Sequence, residues 1–170
     1  MYTIKNMNEP QWSTILSPEK GRIKGLFVPV LGPVVEVYIK RKDGLEEFRK
    51  LVDGYIEAVS LDSADMYCNE EGRLLNLPLN FRATKLNLTR FKEHKGEAHI
   101  GVVGDVLLLG SVDQFGYNTN LNTEKFHKWH KSQPEFELKD FAVDPGYTSM
   151  VHIHEQMEAR FQKENWWDIS

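Results

Sequence analysis

The residues from 25 to 39 constrain the fold of this chain most. Gly25-Leu26-Phe27-Val28-Pro29-Val30-Leu31 and Val34-Val35-Glu36-Val37-Tyr38-Ile39 are rich in β-branched and aromatic side chains, which suit a pleated, half-buried surface. Gly32-Pro33 lies between them and supplies turn chemistry. The pattern predicts two strands joined by a turn. Pro29 has no N–H to give a ladder, so it is expected at an edge or a bulge.

A short amphipathic helix is expected next. Asp43 and Glu46 have capping-box spacing, and Leu45, Phe48 and Val52 follow at helical intervals. Gly54 suits the left-handed position that ends a helix, which would send the chain into a strand over residues 55–61. A second strand over 66–69 meets Asn69-Glu70-Glu71-Gly72, where Gly72 fits a type I turn with a G1 bulge, and 73–75 would resume extension. Pro78 and two asparagines make 76–83 irregular, with Asn80 placed to cap a helical turn through Ala83 and Thr84. A polar loop over 89–97 leads to strands over 98–103 and 106–111, separated by Gly104-Asp105. Their weak alternation implies burial on both faces.

Beyond residue 112 a polar, turn-prone stretch precedes a short helix over 123–130 carrying Phe126, Trp129 and His130. A further strand is expected over residues 135–138. After Asp144-Pro145-Gly146 a longer helix places Met150, Ile153, His154, Met157 and Phe161 on one stripe, opposite Glu155, Glu158, Arg160 and Lys163. The fold class expected is α+β: a small mixed or antiparallel sheet flanked by short helices, with a C-terminal amphipathic helix. The organisation expected is an extension over 1–24, a core domain over 25–112 and a C-terminal extension over 113–170, its two helices packed on the core.

A chain of 170 residues can bury one substantial core. Its net charge of −4 is mixed in sign along the sequence, which argues against a protein held on nucleic acid by counterion release. The first residues lack the apolar core of a secretory signal, and no run reaches the roughly 20 apolar residues that span a bilayer, so the expected location is the cytoplasm, with no membrane. Cys68 is the only cysteine, which excludes an internal disulfide and multi-cysteine zinc patterns, and its apolar neighbours suggest a packed thiol.

The candidate recognition residues are Asn69, Glu70, Glu71, Asn80, Arg82 and Thr84, polar groups gathered on two connected loops. Turn and cap geometry offers a structural role for Asn69, Asn80 and Thr84. Arg82 has a fork that could grip a phosphate or carboxylate. Tyr55 or Tyr67 could stack on a base beside it. Trp166 and Trp167 at the chain end suit docking onto the domain, a homodimer or a partner interface.

His127 with His130 at helical i, i+3 spacing, and His152 with His154 near Glu155, raise a metal-dependent hydrolase, although His152 and His154 do not have the spacing that sets two ligands on one helical face. Neither Glu46-Glu47 nor Glu70-Glu71 is spaced for acid–base work. Lys85, Arg90, Lys92 and Lys95 around Phe91 form a weak basic patch broken by Glu93 and Glu97. Phosphate-loop, dinucleotide and nucleophile-elbow motifs do not occur. No catalytic residue, metal ligand or cofactor is assigned.

Taken together, Gly54-Tyr55-Ile56-Glu57, the turn at residues 69–72, the run Leu77-Pro78-Leu79-Asn80-Phe81-Arg82-Ala83-Thr84 and the strand from Gly104 to Gly110 resemble domain-of-unknown-function family 3846, over about residues 25–112. That family of phages, actinobacteria and mobile elements has no activity to carry over. The resemblance implies a phage-type accessory protein in the host cytoplasm. The expected role is non-enzymatic: to bind and neutralise or redirect a host protein, in counter-defence or host takeover. The alternative is a pocket that sequesters a nucleotide-like signalling molecule.

Overall fold

The computed structural model describes residues 14–30, 34–61, 63–88, 98–99, 101–124 and 142–143. Along the chain these form β1 (Arg22–Val28), β2 (Val35–Lys40), α1 (Leu45–Val52), β3 (Ile56–Ser60), β4 (Ala64–Asn69) and α2 (Phe81–Leu88). They are followed by β5 (Ala98–His99), β6 (Val106–Val112), β7 (Asn118–Thr119) and β8 (Ala142–Val143). The main sheet has the order β2-β1-β6-β4-β3, with β7 also paired to β6, and every pairing in it is antiparallel. β5 and β8 form a separate parallel ladder. The small antiparallel sheet with few helices is an α+β arrangement.

β6 lies at the centre because Val106-Leu107-Leu108-Leu109 offers no polar face. Leu107 and Leu109 join the α1-side core with Phe27, Ile39, Leu51 and Tyr67. Val106 and Leu108 join the α2-side core with Leu26, Met66, Ala83 and Leu86. The expectation that this strand is buried on both faces is met. Each fully buried aliphatic side chain contributes about 1.5–3 kcal/mol by leaving water, so the cores on both faces of one strand make it the mechanical centre of the domain.

Several local readings are corrected. β1 begins at Arg22, inside the stretch read as an N-terminal extension, and Ile15 from that stretch is buried in the α1-side core. β1 is an internal strand and ends at Val28, so Pro29 sits beyond the ladder, neither on an edge nor in a bulge. Asp43 does not cap α1. It takes a left-handed conformation (φ 57°), and Gly44 is the N-cap, without a side-chain bond. A Cβ at Gly44 would stand 2.4 Å from the Lys40 carbonyl, so the tight approach of β2 to α1 excludes a Ser or Asp cap there. Glu47, rather than Glu46, is engaged: its carboxylate accepts from the Lys40 N–H and from Arg22.

At the far end of α1 the left-handed residue is Asp53 (φ 61°), one position before the glycine expected to take it. Gly54 serves a different need. Its missing Cβ, which would lie 2.6 Å from Nδ2 of Asn69, leaves room for that side chain. The turn at 69–72 does close, the Gly72 N–H donating to the Asn69 carbonyl, but Gly72 is not left-handed and 73–75 do not extend. Leu75, Asn76 and Leu77 instead bond back to Glu71, Arg73 and Gly72, and Asn76 takes the positive φ of 53°. Gly72 is there for closeness: a Cβ would meet Val103 Cγ2 at 2.7 Å.

The strand expected over 98–103 is reduced to β5 and an isolated bridge between Val103 and Leu79. Gly104 (φ 78°) makes the turn and donates its N–H to Pro78, tying this segment to the 77–80 run rather than to β6. Helical backbone begins at Thr123 and Glu124. The remainder of that helix, the polar loop at 89–97, the strand at 135–138 and the C-terminal amphipathic helix lie outside the described residues. Among the described residues no helix is long and apolar enough to cross a membrane.

Candidate functional site

Of the six candidate polar residues on the two loops, Asn69, Asn80, Arg82 and Thr84 are consumed by bracing, whereas Glu70 and Glu71 are exposed. Asn69 is buried at the end of β4, and its Nδ2 donates to the carbonyls of Val52 (3.3 Å) and Asp53 (3.1 Å). Its Oδ1 accepts from the Glu71 N–H at 2.8 Å. One side chain thus satisfies the C-terminal carbonyls of α1, which the helix itself cannot, and shapes the following turn.

Asn80 does the equivalent for α2. Its Oδ1 accepts from the Ala83 N–H at 3.0 Å, an N-cap as expected from its position. Its Nδ2 donates to Val28 and Gly104 carbonyls, each at 2.9 Å. Thr84 adds a hydroxyl that lies 2.7 Å from the Asn80 carbonyl and accepts from the Val102 N–H at 2.9 Å. Arg82 is buried and donates through Nη2 to the Pro29 carbonyl. The run from Leu77 to Thr84 therefore locks the end of β1, the start of α2 and the Gly104 turn to one another.

These placements do not assemble the nucleotide constellation. α2 and Arg82 stand on one face of the sheet, whereas the Tyr67 ring packs in the core of the other face, 4.8 Å from Phe48. The Tyr67 hydroxyl donates to Asn118 Oδ1 at 2.7 Å, and burial raises its pKa. Asn118 in turn donates to Asp65 and to the Gly110 carbonyl, closing a buried network. Tyr55 is exposed, with the Arg49 guanidinium 4.9 Å from its ring centre.

The exposed side chains include two that the sequence reading passed over, Leu74 and Leu75, and one that it named, Tyr55. Leu74 is 85% exposed, Leu75 54% and Tyr55 57%. The Glu70 N–H donates to the Tyr55 carbonyl, so the 70–76 turns spring from the residue paired with Tyr55. Glu70, Glu71 and Arg73 are exposed around the leucines. In a strand with one solvated face, one of two adjacent leucines points to water, and that was the available signal. The turns are held by Asn69 at one end and by Gly72 against Val103 in the middle, so this apolar surface sits on a fixed base.

An open groove of about 630 Å³ lies elsewhere, lined by residues that include Arg22, Lys24, Tyr38 and Asn120. Its cations are already engaged: Arg22 with Glu47 and the Tyr38 carbonyl, Lys24 with Glu36 at 3.6 Å. No group of three or more metal-ligating side chains occurs among the described residues. His127, His130, His152, His154, Trp166 and Trp167 lie outside the described residues, as does the basic stretch from Arg90 to Lys95.

Cys68 is buried, and burial with the nearby Glu57 pushes its thiol up to about 11 from 9.0. Two pH units remove about 99% of the reactive thiolate at neutral pH. A disulfide reagent at pH 7.5 should therefore label the folded protein at least about a hundredfold more slowly than the urea-unfolded chain. Equal rates would show that the β3–β4 ladder opens readily.

The family described as domain of unknown function (DUF3846) matches residues 23–133, starting within β1 and running beyond β7. The match bears out the resemblance carried by the motifs. No curated protein and no solved structure matches the chain.

Proposed function

The chain belongs to the domain-of-unknown-function family DUF3846, and from that premise we propose that it acts without catalysis, as a phage-type accessory protein that binds and neutralises or redirects a host protein. The observation that carries the reading is the pair Leu74 and Leu75, held out to solvent on a braced turn next to Tyr55. Leaving a leucine in water forgoes about 1.5–3 kcal/mol of burial. Adjacent exposed leucines, flanked in sequence by the exposed charges of Glu70, Glu71 and Arg73, make a surface suited to an apolar patch on another protein. The family's polar motif supports the reading indirectly, because Asn69, Asn80, Arg82 and Thr84 within it bond to the protein's own backbone.

The test is the double substitution Leu74→Asp with Leu75→Asp. Both side chains are exposed, so the melting temperature should stay within about 2 °C of the parent. Expressed in a bacterial host, the parent should retain a defined host protein on affinity capture and the double variant should lose it, along with any effect on host growth. Retention of the same protein by both forms would remove this surface from consideration.

A further inference from the structure

The two edges of the main sheet are treated differently, and the difference points to a partner. In β2 the Arg41 N–H bonds to Gly21, so antiparallel alternation turns the backbone groups of Glu36, Tyr38 and Lys40 away from β1. Two of these outward groups are plugged by the chain's own side chains. Glu47 accepts from the Lys40 N–H at 2.9 Å, and Arg22 donates to the Tyr38 carbonyl at 2.9 Å while paired with Glu47 at 3.1 Å. An edge so occupied cannot template another strand.

β3 has no such device. Leu61 donates to Ala64, and Glu70 donates to Tyr55, which sets the odd-numbered residues of β3 against β4. Ile56, Ala58 and Ser60 then present N–H and C=O to the open side, and none has a further partner among the described residues. The strand carries one charge, Glu57, and neither lysine nor proline to guard it. Glu57, Ala58 and Ser60 are exposed.

We propose that β3 pairs antiparallel with β3 of a second copy of this chain, joining two sheets across a twofold axis at Ala58. This register is the one that pairs all five residues of the strand with their symmetry mates. It sets Ala58 against Ala58 and Ile56 against Ser60 in doubly hydrogen-bonded pairs, which are the residues whose backbone groups face outward. It also sets Glu57 against Val59. Sliding the register toward the strand's start by one pair would put the two Glu57 carboxylates directly opposite, so charge selects the centre. The small side chain on the axis lets the backbones approach without displacing α1, which covers the same face.

This inference uses a different surface from Leu74 and Leu75 and stands or falls separately. Sedimentation of the full chain at about 100 µM should give the dimer mass, with dissociation on dilution. Ala58→Lys, which leaves an exposed position exposed, should give the monomer mass with the melting temperature of the diluted, monomeric parent, because two lysines meet on the axis. Mixing Ala58→Lys with Ala58→Glu should restore the dimer. In the parent, amide exchange at Ile56, Ala58 and Ser60 should slow with rising concentration, a readout that does not depend on any variant folding. A monomeric parent, or an Ala58→Lys protein that remains dimeric, would overturn the proposal.

Discussion

Asn80→Ala should cost about 3–7 kcal/mol of unfolding free energy, a large part of the roughly 5–15 kcal/mol a domain possesses. The side chain is fully buried and meets three backbone groups. Losing the cap on α2 accounts for about 1 kcal/mol. The larger share comes from the Val28 and Gly104 carbonyls, which lose a donor in a place water does not reach, at about 1–3 kcal/mol each. Urea denaturation measures the loss directly. Asn80→Asp separates the two contributions, since a carboxylate still accepts from Ala83 but donates to neither carbonyl. Crowding a negative charge against two carbonyl oxygens raises that carboxyl's folded pKa above its unfolded value of about 3.9. The penalty should therefore be full at neutral pH and shrink as pH falls through the raised folded pKa and the acid regains a proton to donate. An Asn80→Ala protein within about 1 kcal/mol of the parent would mean that water enters the site and replaces the amide.

The same residue shows what a sequence can and cannot reveal. That Asn80 caps a helix was legible, because the acceptor and the Ala83 N–H are three positions apart and capping is local chemistry. That its amide also clamps β1 was not, because Val28 lies 52 positions away. Asn69 repeats the lesson. Its role in the turn to Glu71 could be read from neighbours, while its hold on the end of α1 depends on β3 and β4 bringing the chain back beside that helix. The left-handed cap itself falls to Asp53, against the usual preference for glycine, while Gly54 makes room for the Asn69 side chain.

Strands and the α1 helix were visible in side-chain periodicity, and the antiparallel pairs β1–β2 and β3–β4 follow from short connections, but the placing of β6 between β1 and β4 depends on contacts distant in sequence. The candidate site was less legible. Polar residues gathered on loops look alike whether they await a ligand or close a backbone bond, and in Asn69, Asn80, Thr84 and Arg82 the fold uses backbone bonds. Leu74 and Leu75 escaped notice because 73–75 read as a strand, in which one of them would have been inside.

Gly110→Ala should also be damaging, at about 2–4 kcal/mol, although it adds only a methyl group. A Cβ there would stand 2.5 Å from the Asn120 carbonyl and 2.6 Å from that of Thr119. These are backbone atoms, so relief requires β7 to move off β6. β7 cannot move alone. Asn118 donates to the Gly110 carbonyl and accepts from the buried Tyr67 hydroxyl, and Asn120 holds the Lys24 N–H at 2.8 Å. Displacing β7 therefore strips partners from Tyr67 in one core and from β1 in the centre of the sheet. Gly116→Ala is the control: it takes φ 84° with nothing within 4 Å of a Cβ, so its cost is conformational alone, about 1 kcal/mol. Denaturant titration of both variants, with amide exchange at Lys24 and Leu121, distinguishes the two mechanisms. The clash at Gly110 should speed exchange at these residues of β1 and the segment after β7, while Gly116→Ala should leave them protected. If the two substitutions cost the same, the β6–β7 contact is soft enough to absorb a methyl group.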